Sequence, residues 1–153
     1  DAMAGRVRFL DESHSVIFTD KGIQFFSTRV ETSPELVSQI PIEENIRSIT
    51  YAQDKVGIVT DNVEGGDPYK LRIYDREGSP VFEKTFNYQY TGFDIDGDLV
   101  LLYNDSSCKV YNMTGTEKYN GTFDFTVSKV SAGRFPGTLL VMGPQKMTEI
   151  KLQ

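Results

Sequence analysis

A short pattern recurs along the chain at a fixed distance. Each copy opens on an aromatic residue, at Phe9, Tyr51 and Phe93, and the spacing between successive copies is 42 residues both times. One or two acidic residues follow within three positions in each copy, and then a run of apolar residues. A looser fourth copy begins at Val130. A period near 40 residues indicates one structural unit repeated side by side, so the repeat limits the folds that this chain can adopt.

Within each copy, the residues alternate between apolar and polar. Segments 15–19 and 70–74 are examples, and such segments are rich in Val, Ile, Phe, Tyr and Thr. Alternation with a period of two is typical of a half-buried β-strand. Segment 33–41 opens with a Ser-Pro pair that could begin a helix, but its apolar residues also alternate. We therefore predict a strand there as well.

The second and third copies share a turn. Residues 73–78 read IYDREG and residues 110–115 read VYNMTG. Asp or Asn at the third of these positions accepts hydrogen bonds from the backbone two residues on, and the Gly three residues later can adopt a positive φ. The match predicts the same tight turn between the third and fourth strands of both copies.

Four short antiparallel strands per copy predict an all-β fold made of β-propeller blades. We expect a single all-β domain over 1–153 with blades at about 6–42, 46–86, 90–123 and 127–153, the last of them one strand short. A β-sandwich is the alternative, although a sandwich has no reason to repeat one turn at a fixed offset. Four blades are few for a propeller, which predicts half of a larger ring completed by upstream blades or by a homodimer.

The repeat resembles that of β-propeller proteins over nearly the whole chain. An inner strand, a hairpin, a strand that ends in aromatic-Asp-x-x-Gly and an outer strand recur. The chain has no Trp, so the Trp-Asp motif of WD repeats is absent, and Gly65-Gly66 lies in a hairpin loop where a kelch blade would not place its double glycine. The sequence most resembles an uncharacterised family of bacterial membrane-anchored propeller proteins. That resemblance implies an extracytoplasmic location and an anchor that precedes Asp1.

The charge balance narrows the set of partners. The chain has 16 basic and 22 acidic residues, which gives a net charge of -6. Nucleic-acid binding draws its affinity from clustered Lys and Arg, so we expect no nucleic-acid partner. No apolar run approaches the roughly 18 residues that a membrane-spanning helix needs, and we expect this segment not to be embedded in a membrane.

The residues that most often perform catalysis are scarce. His14 is the one histidine and is predicted to be a solvated residue at a hairpin tip. Cys108 is the one cysteine, and without a nearby base it is predicted to be a structural thiol. The glycine-rich phosphate-binding and nucleophile-elbow motifs are absent as well. We therefore predict no catalytic residue and no cofactor.

Three acidic residues at alternate positions form a weak candidate for a metal site. Asp94, Asp96 and Asp98 match the first three ligands of a calcium loop, but Leu99 and Asp105 stand where that loop requires Gly and Glu. Apolar residues alternate with the acids, which favours a strand followed by an Asp-Gly hairpin turn. We predict the turn and no metal.

A row of aromatic residues is the candidate for a ligand or partner surface. Phe86, Tyr88 and Tyr90 lie at a period of two between the second and third copies, so an extended backbone would place their rings on one side. The alternative is that these rings fill the seam between blades. Phe123 and Phe125 recur at the next junction, which favours that alternative.

These observations predict a non-catalytic binding or scaffolding propeller module that contacts a protein or an envelope polymer. The prediction rests on the repeat together with the absence of catalytic motifs. The alternative is a carbohydrate-active hydrolase that uses loop carboxylates near the propeller axis.

Overall fold

The computed structural model describes residues 7–28 and 33–152, and within these ranges it contains β-strands and no helix. The strands are β1 (Val7–Phe9), β2 (His14–Thr19), β3 (Gly22–Ser27), β4 (Glu35–Pro41), β5 (Ile46–Tyr51), β6 (Lys55–Asp61), β7 (Tyr69–Asp75), β8 (Pro80–Phe86), β9 (Gly92–Asp96), β10 (Leu99–Tyr103), β11 (Ser107–Asn112), β12 (Glu117–Thr122), β13 (Lys129–Ala132), β14 (Thr138–Met142) and β15 (Met147–Lys151).

The strands form four antiparallel sheets, and within each sheet neighbours in sequence are neighbours in space. Blade 1 comprises β1–β4, blade 2 comprises β5–β8 and blade 3 comprises β9–β12, whereas blade 4 has only β13–β15. The prediction of four antiparallel repeats with an incomplete last one is confirmed. The segment that carried a helix signal is strand β4, as the alternation of its apolar residues predicted.

The chain divides into two compact units. Unit 1 comprises 1–86 and contains blades 1 and 2, and unit 2 comprises 87–153 and contains blades 3 and 4. No membrane-spanning helix occurs among the residues that the structure describes.

The core of unit 1 lies between blades 1 and 2. In blade 1, Val16, Ile23 and Phe25 are fully buried. Their strands are paired so that the three side chains point to the same side of the sheet, the side that faces blade 2. Ile58 of blade 2 belongs to the same apolar cluster. Each fully buried aliphatic or aromatic side chain contributes roughly 1.5–3 kcal/mol relative to an exposed one, so this face holds the two blades together.

A polar contact also joins the connecting segment 42–45 to blade 2. The guanidinium of Arg72 donates to Oε1 of Glu44 at 2.7 Å. Glu44 lies on the segment that leads from blade 1 to blade 2. Burial by itself would raise the pKa of Glu44, but hydrogen bonding and the charge of Arg72 outweigh that effect and hold the pKa below its usual value.

The core of unit 2 lies between blades 3 and 4. Leu101 and Val110 of blade 3 and Leu139 and Val141 of blade 4 are fully buried in one apolar cluster. Asp96 of blade 3 accepts a hydrogen bond from the backbone N–H of Ala132 in blade 4 at 2.8 Å.

The shared turn has the predicted geometry. In blade 2, Asp75 Oδ1 accepts the backbone N–H groups of Glu77 and Ser79, each at 2.9 Å, and Gly78 has φ +86°. In blade 3, Asn112 Oδ1 accepts the equivalent pair of N–H groups at 3.0 and 2.9 Å, and the matching glycine has φ +81°. The prediction of one turn used twice is confirmed.

Candidate functional site

Four connecting segments lie at the same end of the strands in unit 2. Because β9–β15 alternate in direction, the segments 87–91, 104–106, 123–128 and 143–146 all meet at the end where β9, β11, β13 and β15 begin. We call this end of unit 2 the loop end. Binding residues are often carried by loops that a rigid scaffold holds in place.

Hydrogen bonds tie the segments of the loop end to one another. Asn104 donates from Nδ2 to the carbonyl oxygen of Gln89 at 2.8 Å, and its Oδ1 accepts the Ser107 hydroxyl at 2.9 Å. The backbone N–H of Val127 donates to the carbonyl oxygen of Asp105 at 2.9 Å. These bonds join the segments 87–91, 104–106 and 123–128, and segments held by such bonds lose less conformational entropy when a partner binds.

An open cleft of about 470 Å³ lies at the loop end. We call it the loop cleft. Its lining comes from the β12–β13 connection and from the β14–β15 hairpin, and the lining residues are Phe125, Thr126, Gly143, Pro144, Gln145 and Lys146.

Two side chains give the loop cleft its chemistry. Nζ of Lys146 lies 5.2 Å from the ring centroid of Phe125, which is within the range of a cation–π contact. Lys146 also lies 3.5 Å from Oδ1 of Asp124, and both partners of that pair are exposed. The ring of Phe125 packs against the ring of Phe123 at 5.5 Å between centroids, and this contact helps to hold the Phe125 ring in place.

Gly143 lets the two walls of the loop cleft approach each other. A Cβ atom at this position would lie 2.9 Å from the Cδ2 atom of Phe125, closer than real Cβ contacts come. The cleft thus offers an aromatic face, one ammonium group and accessible backbone. These groups suit non-covalent binding of an extended segment that carries an apolar side chain and a carboxylate.

The predicted aromatic surface is only partly accessible. Phe86 is 2% exposed and packs against Tyr69 at 5.3 Å between ring centroids. Tyr88 is half-buried, its hydroxyl lies 2.7 Å from that of Ser107, and burial raises the pKa of Tyr88. Tyr90 is half-buried beside Phe93. A partner surface at these residues remains a prediction that depends on the exposed edges of the two tyrosines.

The candidate metal ligands are separately engaged. Asp94 Oδ1 accepts the backbone N–H of Ile95 at 2.9 Å, and Asp96 is bonded to blade 4. Gly97, with φ +61°, and Asp98 form a two-residue turn between β9 and β10. Among the residues that the structure describes, no group of three or more His, Cys, Asp or Glu side chains is placed to hold a metal ion.

His14 lies in a less exposed place than predicted. It is the first residue of β2 rather than a hairpin tip, and its Nδ1 lies 2.9 Å from Oδ1 of Asp11 and 3.1 Å from the Ser13 hydroxyl. A proton relay from Ser through His to Asp needs the two partners on opposite ring nitrogens. Here both face Nδ1, so the trio is a turn-capping arrangement and not a catalytic triad.

Cys108 lies in the core of unit 2. It is fully buried beside Val110 and Leu139, and burial raises its pKa to about 12. A thiol with this pKa is almost entirely protonated near neutral pH. Its surroundings agree with the structural role that the sequence predicted.

The sequence did not point to the loop cleft. The recurrence of Phe123 and Phe125 was visible, but the cleft also needs Lys146, which arrives from the next hairpin. A second, smaller cleft of about 260 Å³ lies at the opposite end of unit 2, and its lining includes Asp98 and Lys118. For the loop cleft, the one available sequence signal was the Gly143-Pro144 pair, which lies in the hairpin that follows the aromatic residues Phe123 and Phe125.

Comparison with known proteins places the chain in a family and supports the fold. A family model described as "Family of unknown function (DUF5711)" matches residues 1–152. No curated protein matches the sequence. Among solved structures, the computationally designed protein Ika4 is 10% identical with a TM-score of 0.58, and the alignment covers 100% of this chain and 93% of Ika4.

Two larger natural proteins are also similar in structure. BamB from Moraxella catarrhalis is 10% identical with a TM-score of 0.52, and the alignment covers 97% of this chain and 43% of BamB. Hsv2 from Kluyveromyces lactis is 10% identical with a TM-score of 0.55, with coverage of 100% and 47%. Both are β-propellers, so the predicted propeller fold is confirmed. The chain spans about half the length of these two proteins.

Proposed function

Since the chain belongs to DUF5711, a family of unknown function, we propose from its structure that it is a non-catalytic binding or scaffolding propeller module. The loop cleft is the observation that carries this proposal. It combines a supported aromatic ring, an exposed ammonium group and an ordered set of loops in one open depression. Such a site binds without needing a reactive group of its own.

The chemistry of the loop cleft favours a protein partner over a polymer. Phe125 offers an apolar face, and Lys146 can exchange its exposed contact with Asp124 for a carboxylate of the partner, since exposed ion pairs contribute little. An extended peptide with an apolar and an acidic side chain satisfies both groups. An envelope polymer of neutral sugars would offer Lys146 no carboxylate to take the place of Asp124.

The hydrolase alternative receives less support from the two clefts of unit 2. Glycoside hydrolysis needs two carboxyl groups that face each other across the substrate. Among the described residues, no carboxylate lines the loop cleft, and the smaller cleft at the opposite end has one, from Asp98. The binding proposal therefore takes precedence.

The proposal extends to location. The resemblance to membrane-anchored propeller proteins suggests that the module works outside the cytoplasm, held there by a segment that precedes it. An acidic module with a preformed cleft suits docking to another envelope protein.

The test uses a random heptapeptide library displayed on phage, panned against the chain. We expect enrichment of peptides that combine an aromatic or aliphatic residue with Asp or Glu. Synthetic versions of the enriched peptides are then tested for binding to chain variants. Lys146→Gln and Phe125→Leu should each weaken the affinity for these peptides about 10-fold, which corresponds to about 1.4 kcal/mol. The matched control is Lys118→Gln in the opposite cleft, which should leave binding unchanged.

Two results would overturn the proposal. The first is enrichment of the same peptides on the chain and on a Phe125→Leu/Lys146→Gln double variant whose fold is intact by circular dichroism. The second is release of nitrophenol from p-nitrophenyl glycosides by the purified chain, which would favour the hydrolase.

A further inference from the structure

Blade 4 ends on a strand that has the position of an interior strand. By its place in the repeat, β15 corresponds to β3, β7 and β11, each of which pairs with a strand on both sides. β15 pairs with β14 on one side, and no described strand pairs with its other side. An unpaired strand presents a row of N–H and C=O groups that can take up a further strand.

The hydrogen bonds of β15 show which backbone groups are available. The N–H of Leu152 donates to the carbonyl oxygen of Gly137 at 2.8 Å, and the carbonyl oxygen of Lys146 accepts the N–H of Gly143 at 2.7 Å. Hydrogen-bonded and non-hydrogen-bonded pairs alternate along an antiparallel ladder. The residues whose N–H and C=O groups point away from β14 are therefore Met147, Glu149 and Lys151. We call these backbone groups the open edge of blade 4.

The open edge is regular over its whole length. All five residues of β15 pair with β14 without a register shift. The outer strands of blades 1–3 each carry such a shift where they pair with the third strand. Bulges of this kind are one device that protects an exposed sheet edge from further pairing. Met147–Lys151 has no such bulge, which favours it as a pairing site.

Blade 3 shows where a strand on the open edge would end. β12 runs antiparallel to β11, the counterpart of β15, and it ends at the loop end. Phe123 follows directly and stacks on Tyr119 at 6.2 Å between ring centroids. A strand placed in the same way on β15 would end beside Lys146, which lines the loop cleft and directly precedes β15. The open edge and the loop cleft thus adjoin each other.

The charges along the open edge match an acidic strand. Lys146 stands at its loop end, and Lys151 at the other end is exposed. Glu149 between them is already engaged, since its Oε1 accepts the backbone N–H of Arg134 at 3.1 Å. Segment 1–6, the longest part of this chain outside the described ranges, reads DAMAGR, and Asp, Ala and Gly are depleted in strands. A separate acidic peptide therefore suits the open edge better than that segment does.

We propose that an acidic peptide of the partner protein adds to blade 4 as its fourth strand. The peptide runs antiparallel to β15 and bonds to the open edge, and its last residues carry the apolar and acidic side chains that contact Phe125 and Lys146. Backbone pairing supplies affinity, and the loop cleft supplies the sequence preference. About seven residues suffice, because five span β15 and about two reach the cleft. This inference deepens the proposed function and rests on it.

The first test measures backbone amide exchange by NMR, for the chain alone and with a heptapeptide enriched by phage panning. In the free chain, we expect fast exchange at Met147, Glu149 and Lys151. We expect slow exchange at Thr148 and Ile150, which the alternation bonds to β14. The peptide should slow exchange at the open edge about 10-fold or more, whereas a peptide that only occupies the loop cleft would leave these three amides unchanged.

The second test replaces single backbone N–H groups of the same peptide with N-methyl groups. Alternate residues of an added strand direct their N–H groups towards β15. We therefore expect the affinity to fall about 10-fold or more at every second position and less than about 3-fold at the positions between them.

A variant of the chain tests the same bond from the other side. Met147→Pro removes one N–H from the open edge at the first residue of β15, a position where a strand tolerates Pro. Met147→Ala is the comparison, because it shortens the same side chain and keeps the N–H. We expect Met147→Pro to lose clearly more affinity for the peptide than Met147→Ala, with the fold of both intact by circular dichroism.

The outcomes separate this proposal from the proposed function. Slow exchange at the open edge of the free chain at all concentrations would mean that another segment of this chain pairs there. Protection that appears only as the concentration of the free chain rises would mean that a second copy pairs there. A peptide that binds without protecting the open edge, or N-methyl effects that do not alternate, would overturn strand addition and leave the loop-cleft proposal standing. If panning enriches no peptide, both proposals fail.

Discussion

Arg76 donates a hydrogen bond from Nη1 to Oδ2 of Asp11 at 2.8 Å, which joins the tight turn of blade 2 to the first hairpin of blade 1. Asp11 also accepts the backbone N–H of Ser13 at 2.8 Å and contacts His14. Burial by itself would raise the pKa of Asp11, but these hydrogen bonds outweigh it and hold the pKa well below the usual range. One carboxylate thus links a local turn to the packing of two blades.

Asp11→Asn removes the charge and keeps an acceptor for Ser13. Because the pKa of Asp11 is lower in the folded chain than its unfolded value of about 3.9, the ionised group stabilises the fold fully above that pH and progressively less below it. We expect the variant to lose about 1–2 kcal/mol of unfolding free energy at pH 7 and less at pH 3, as measured by urea denaturation.

The control for this prediction is Asp54→Asn. Asp54 is exposed and pairs with its neighbour Lys55 at 2.6 Å, so we expect little change at either pH. A deficit in Asp11→Asn that stays constant between pH 7 and pH 3 would contradict the assignment.

Gly78→Ala combines two penalties. The residue has φ +86°, and a Cβ atom would lie 2.7 Å from Cβ of Ser38 in blade 1. Gly65 has φ +88° with nothing within 4 Å of the added atom, so Gly65→Ala isolates the backbone strain. We expect Gly65→Ala to cost about 1–2 kcal/mol and Gly78→Ala at least about 1 kcal/mol more. Equal losses of unfolding free energy in chemical denaturation would contradict this prediction. They would show that Ser38 of blade 1 moves away from the added Cβ atom at no cost in free energy.

Asn112→Ala removes the side chain that organises the tight turn of blade 3. Two backbone N–H groups lose their acceptor, and we expect a loss of about 1–2 kcal/mol in unfolding free energy. Asn112→Asp should be close to neutral, because Asp75 performs the same task in blade 2. The prediction fails if the two variants are equally stable in a thermal melt.

Cys108 should be unreactive in the folded chain. With its pKa raised to about 12 by burial, the thiolate is scarce at pH 8, and the surrounding side chains also block access. We expect labelling by a disulfide reagent to proceed at the rate of unfolding, and rapidly in guanidinium chloride. Fast labelling without denaturant would mean that the core of unit 2 opens easily.

Much of the fold could be predicted because its determinants are local in sequence. Each strand pairs with the next one along the chain, so alternation and turn residues specify a sheet without distant information. Asp75 and Gly78 illustrate this, since the turn that they form was readable from the four residues 75–78. The extent of the single domain and the role of the aromatic row at Tyr88 and Tyr90 remain predictions.

The candidate site was less predictable, because it depends on segments that meet only after folding. Phe125 and Lys146 are 21 positions apart in sequence, and the cleft between them exists because β13 and β14 return the chain to the same end of unit 2. Neither residue belongs to a motif that alternation or spacing can reveal. Their juxtaposition had to be seen in the structure.

By itself, the sequence determined the number of strands, their order and the turns between them, since hydrogen bonding and alternation act between neighbours along the chain. Only the tertiary structure decided which faces of the blades are covered. Val16 and Phe9 both occupy apolar positions in strands of blade 1, yet Val16 is fully buried against blade 2 and Phe9 is largely exposed. The reason is that burial depends on whether a second sheet packs against the first, and strand patterns do not encode that contact.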